Sequence, residues 1–198
     1  MTLAAHPELS ERLIACIDEQ RLVDTACAYV STPSPTGSEQ AMGETVRDAF
    51  EDAGLRVSWQ QVEDGRPNVI GTIEGQGGGP TLMFNGHMDT SYSGREPHLR
   101  HIFGFQPEAV VTDGRIYGLG ISNMKGALAC YLEAIRAISD AGVRLKGDVL
   151  IACVSGEIEK TQWGEEFRGR AYRGYAAGSR HLVTHGGCLL YTSPSPRD

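Results

Sequence analysis

Residues Thr81–Thr90 read TLMFNGHMDT. An apolar run ends at Asn85 and Gly86, and a histidine and an aspartate follow, one residue apart. The pattern predicts a short buried strand over Thr81–Asn85, with His87 and Asp89 just past its C-terminal end. Open α/β sheets gather their ligands at that edge. In an extended chain, residues two apart lie on one face, which places Asp89 to orient His87. Imidazole and carboxylate donors converging on one sheet edge can hold Zn²⁺, which takes N and O ligands at ~2.0–2.2 Å. Taken alone, the pair reads more simply as a turn cap beside a satisfied polar histidine.

A second strand of the same kind lies downstream. GDVLIACVSG is apolar throughout and ends at two acids, Glu157 and Glu159. Between the two strands stands GISNMKG, residues 120–126, which opens an apolar helical run with a stripe at Leu128, Leu132, Ile135 and Ile138. That helix is expected from Met124 to Ala141, with Gly142 as its stop. Upstream, Glu8–Val30 has the spacing of one helix or two short ones. STPSPTGSE is a loop ending in a helix start, capped by Ser38 or a residue nearby, and Gly54 closes the helix that follows. RVSWQQVE and PNVIGTIEG read as strands, and DGRIYGLG as a short strand or turn. The long connection SYSGREPHLRHIFGFQPEAVVT is of a length that often carries function. Ser179 is a candidate cap for a short helix through His185, stopped by Gly186. Strands alternating with helices imply an α/β fold built on a mixed sheet with a parallel centre.

The chain has 198 residues, 40 % of them hydrophobic, enough to bury an ordinary core. A formal charge of −7 argues against nucleic acid and anionic membrane as partners. No run of apolar residues is long enough to span a bilayer, and the N-terminus lacks the pattern of a signal peptide. The cysteines at 16, 27, 130, 153 and 188 show no CxxC spacing and read as free thiols in a reducing, cytoplasmic setting. The last eleven residues, CLLYTSPSPRD, change character abruptly and resemble the in-frame translation of a sequencing-library adapter. Residues 188–198 are therefore expected to be foreign, and 1–187 to be the N-terminal part of a longer catalytic domain.

Three stretches together resemble the M20 metallohydrolases, whose members include acetylornithine deacetylase, succinyl-diaminopimelate desuccinylase, aminoacylase and carboxypeptidase G2. NGHMDT looks like the GHxDxV of that family, DGRIYGLGISNMKGALAC like its DGxLYGRGxxDMKGG, and GDVLIACVSGEIEK like the strand ending in its Glu-Glu pair. The likeness covers nearly all of Glu8 to Gly187, in the right order. It implies a three-layer, zinc-exopeptidase-like catalytic domain, here truncated, without the lid domain that mediates dimerisation. It also implies a homodimeric, zinc-dependent hydrolase of one or two metal ions, with Co²⁺ a possible substitute. Such an enzyme cleaves an amide bond in an N-acyl amino acid or short peptide. The acetylornithine deacetylase and desuccinylase branch is the nearer one.

Residue by residue, the resemblance makes His87 a metal ligand, Asp89 its hydrogen-bond partner and Glu157 the general base. Two positions depart from the pattern. Asn123 stands where the family has a metal-bridging aspartate, and Ile158 where it has a ligand glutamate, with Glu159 one step later as a substitute. Two dications ~3.5 Å apart repel by roughly 20 kcal/mol at an effective ε of ~20. A bridging carboxylate offsets much of that, and a neutral amide little. The expected ligands are thus His87, Asn123 and Glu159, around one or two metals. The alternative is a metal-poor, non-catalytic homologue that binds small molecules or proteins. His98, His101, His181 and His185 read as solvated surface histidines, and Lys125 as structural. Arg168, Arg170, Arg173 and Arg180 form a local basic cluster that reads as a solvated face.

Overall fold

The computed structural model describes residues 6–158 and 174–185. Glu159, the basic residues 168, 170 and 173, Gly186 and the segment 188–198 lie outside them.

Two helices form over the N-terminal stretch, α1 (Pro7–Ala15) and α2 (Glu19–Val30). Asp18 separates them, capping α2 by accepting the Arg21 N–H at 3.0 Å. α3 (Gln40–Asp52) follows and closes at Gly54, as expected. Its N-cap is Glu39, next to Ser38 and within the expected position; it makes no side-chain capping bond, and its buried carboxylate turns inward. β1 (Arg56–Glu63), β2 (Arg66–Ile73) and β3 (Leu82–His87) come next. A hairpin of β4 (Val110–Thr112) and β5 (Arg115–Tyr117) interrupts the long connection. A tight turn, Ile121–Lys125, leads into α4 (Gly126–Asp140). β6 (Val149–Val154) and α5 (Ala177–Thr184) complete the described elements.

The sheet order is β1-β2-β6-β3. β1, β2 and β6 pair antiparallel, and β3 runs parallel to β6. The fold is thus mixed α/β with parallel strands. Its layers follow from the two-residue period of the strands. Val69, Val149, Ile151 and Cys153 face α2, α3 and α4, where they meet Val46, Phe50, Leu132 and Ile135. Ile70, Leu150, Ala152 and Val154 face the other way, onto Leu182 of α5. Cys16, Cys27, Cys130 and Cys153 are free thiols. No helix among the described residues is long and apolar enough to cross a membrane.

Two expectations need correction. β3 is not a buried strand: Leu82 is 52 % exposed and Asn85 is exposed, because β3 is the edge strand among the described residues. It also runs two residues further than expected, so His87 is its last residue. Ser179 does not cap α5 but lies inside it, where its Oγ accepts the Asn85 amide N–H at 3.2 Å.

Gly71 of β2 shows how tightly the α3 face is packed. A Cβ there would lie 2.5 Å from Phe50 Cδ2 and 2.6 Å from Leu55 Cδ2, and both side chains are buried. A ring at the centre of a core has nowhere to move. Gly71→Ala is therefore expected to destabilise the chain by about 1–3 kcal/mol. Urea denaturation would read this as a lower midpoint with an unchanged slope.

Candidate metal centre

The parallel pair decides where the site lies. His87 stands opposite Val154, so β3 and β6 end at the same sheet edge. His87, Met88 and Asp89 leave one strand there, and Ser155, Gly156 and Glu157 leave the other. The turn before α4 brings Asn123 to the same place, with a left-handed Gly120 (φ 86°) at its start and a cis peptide between Asn123 and Met124.

Three polar atoms converge. His87 Nε2 lies 3.0 Å from Asn123 Oδ1 and 3.6 Å from Glu157 Oε2. On the other side of the ring, Nδ1 lies 2.9 Å from the main-chain carbonyl of Asp89 and 3.4 Å from its carboxylate Oδ1. A carbonyl only accepts, so Nδ1 carries a proton and donates it. In the neutral ring, Nε2 then presents a lone pair toward two other acceptor oxygens. Such a cluster calls for a proton or a cation between its members. The electrostatics agree: burial works against a charged ring, yet Asp89, Asn123 and Glu157 together raise the pKa of His87 above its ordinary value.

The spacing suits a metal ion. In a tetrahedral site with bonds of ~2.0–2.2 Å, two donors stand roughly 3.3–3.6 Å apart. His87 Nε2 and Asn123 Oδ1, the two expected ligand atoms, stand 3.0 Å apart, a few tenths of an ångström below that range. The donor set fits one cation better than two, because Asn123 brings no charge and Ile158 no donor. Among the described residues, no three His, Cys, Asp or Glu side chains gather around one point. Glu157 is half exposed, while His87 and Asp89 are buried.

Asp89 does more than face His87. Its Oδ1 accepts the Glu157 N–H at 3.0 Å, and its Oδ2 accepts the Ile158 N–H at 3.0 Å and the Thr36 hydroxyl at 2.8 Å. One buried carboxylate thereby clips the exit of β6 to the exit of β3. Burial alone would favour the neutral acid, but His87 and the two backbone donors outweigh it and hold the pKa of Asp89 below the usual carboxylate range.

Lys125 is buried behind this edge, where its Nζ donates to the Thr32 carbonyl at 2.6 Å. Burial pushes its pKa down to about 7. Beside Asn123 opens a cavity of about 890 Å³, lined by Leu22, Val23, Phe105, Ile116, Leu119 and Ile121 among others. His98 and His101 are exposed. His181 and His185 stack at 4.0 Å on the outer end of α5. Sequence reasoning missed Thr36, Glu39 and Arg66, all buried near the site. Their sequence signal, STPSPTGSE and RPN, is only that of a loop and a strand start.

Comparison with known proteins agrees with the geometry. The sequence profile of peptidase family M20/M25/M40 matches residues 83–183, which include His87, Asn123 and Glu157. An N-formyl-4-amino-5-aminomethyl-2-methylpyrimidine deformylase of Halalkalibacterium halodurans is 31 % identical over 156 residues, 74 % of this chain and 35 % of that protein. A succinyl-diaminopimelate desuccinylase of Alkalilimnicola ehrlichii is 32 % identical over 126 residues, 64 % of this chain and 31 % of that one. The crystal structure of human carnosine dipeptidase 1 superposes with a TM-score of 0.68 at 16 % identity, covering 96 % of this chain and 39 % of that one, which speaks to the fold. The chain spans about a third of the length of the curated relatives it matches. By the profile match over half its length, the chain belongs to peptidase family M20/M25/M40.

Proposed function

We propose that this chain supplies part of a zinc-dependent hydrolase that cleaves the amide bond of an N-acyl amino acid or short peptide. The observation that carries the reading is the convergence of His87 Nε2, Asn123 Oδ1 and Glu157 Oε2 within 3.0–3.6 Å. The named activities of the deformylase and desuccinylase relatives support the reaction class. His87 and Asn123 would hold the metal, with Glu159, outside the described residues, as a further ligand. When bound, zinc acidifies a water and polarises a carbonyl oxygen. The residues of the chain do the rest. Asp89 keeps the Nδ1 proton of His87 in place, so that Nε2 stays a donor. Glu157, half exposed and next to Nε2, accepts the proton of the attacking water and passes it to the leaving amine. The apolar cavity beside Asn123 offers room for an acyl or side-chain group of the substrate.

Asn123 and Ile158 favour a second reading, a homologue that binds ligands without turnover. Metal analysis of the intact protein separates the two. The first reading expects about one tightly held zinc per chain, and turnover of N-acyl amino acids or dipeptides. A folded, metal-free protein without turnover selects the second. Asn123→Asp restores a bridging charge and is expected to raise the stoichiometry from about one toward two. An unchanged stoichiometry would mean that a different group already plays the bridge.

A further inference from the structure

We infer that Arg66, paired with Glu39, is a positioning residue for Glu157. Arg66 opens β2 and is 1 % exposed; Glu39 opens α3 and is fully buried. The guanidinium grips the carboxylate with two bonds, Nε to Oε2 and Nη2 to Oε1, each 2.9 Å. Nη1 also reaches Glu63 at 3.2 Å. Replacing such a buried pair by apolar side chains is often neutral or stabilising, so its presence points to a task of geometry.

Two routes lead from this pair to the loop of Glu157. The first is steric. Gly156 has φ +66°, and a Cβ there would lie 2.4 Å from Arg66 Nη2. The flat guanidinium is therefore the floor under the backbone bend that aims Glu157. The second is a chain of hydrogen bonds. Glu39 Oε1 accepts the Gly37 N–H at 3.0 Å. The neighbouring Thr36 hydroxyl donates to Asp89 Oδ2, and Asp89 takes the N–H groups of Glu157 and Ile158. Lysine could supply the charge of Arg66 but neither the fork nor the flat floor.

The consequence for catalysis rests on the reading of Glu157 as a base; the positioning itself does not. The test therefore uses backbone amide exchange, measured by NMR on the chain without metal or substrate. In Arg66→Lys, the N–H groups of Glu157 and Ile158 are expected to exchange about tenfold faster or more, while those of β6 keep their protection. Glu39→Gln, which keeps an acceptor for Gly37, is expected to act in the same direction and decides the matter if Arg66→Lys does not fold. Unchanged exchange at 157 and 158 would overturn the inference. So would an equal rise across β6 and the loop, which would reduce the pair to general stability. A wild-type protein without zinc or turnover would sink the hydrolase reading and leave this result standing.

Discussion

Replacing His87 by alanine is expected to abolish the tight zinc binding proposed for this chain. Among the described residues, the ring is the only nitrogen donor of the atoms that converge at the sheet edge, and its Nε2 is the atom both oxygens face. Without it, Asn123 and Glu157 are left as one neutral amide and one half-exposed carboxylate, a pair that water satisfies readily. Loss of a partner that merely orients a ligand lowers metal affinity 10–100-fold, so loss of the ligand itself should cost at least ~100-fold. The change leaves the clip intact, since Asp89 still accepts from Thr36, Glu157 and Ile158. Circular dichroism should therefore report a folded chain while dialysis with metal analysis finds it empty. A variant that keeps its zinc would show that the ion sits elsewhere, and the proposed centre would fail with it.

What the sequence revealed and what it hid divide along the range of the interactions involved. A continuous apolar run was enough for β2 and β6, which are buried on both faces, and helical periodicity for α4, which buries one stripe. The motif NGHMDT located His87 and Asp89, and the strand GDVLIACV located Glu157. The burial of β3 was misjudged because exposure depends on which strand lies alongside, and periodicity cannot see a neighbour. The start of α5 was placed late because Ser179 looks like a cap, while its hydroxyl is engaged by Asn85, 94 residues away. The Glu39–Arg66 pair was invisible for the same reason. Its partners stand 27 residues apart, and each looks like an ordinary surface charge. Even Asp89 was read only in part. Its link to the backbone of Glu157 spans 68 residues, and no spacing rule announces it.

Substitution of Asp89 is expected to cost the chain stability in a graded way. Its carboxylate is fully buried and serves the N–H groups of Glu157 and Ile158, the Thr36 hydroxyl and the protonated side of His87. Asp89→Asn keeps the shape but turns one acceptor into a donor. If the new NH₂ replaces Oδ2, the Thr36 hydroxyl can rotate and accept from it, which leaves the Ile158 N–H as the one orphan. An unsatisfied buried donor costs about 1–3 kcal/mol, and the isosteric variant should fall in that range. Asp89→Ala removes both acceptors together and opens a small void, so about 3–5 kcal/mol is expected, the range found when one side of a buried charged network is deleted. Urea unfolding of the three proteins measures the order wild type, Asn, Ala. If Asp89 served only to orient His87, both variants would unfold near the wild-type midpoint and differ from it in zinc affinity alone. A graded loss of stability, measured without metal, would instead identify this carboxylate as the clasp that joins the ends of β3 and β6, and with them the imidazole and the glutamate of the proposed centre.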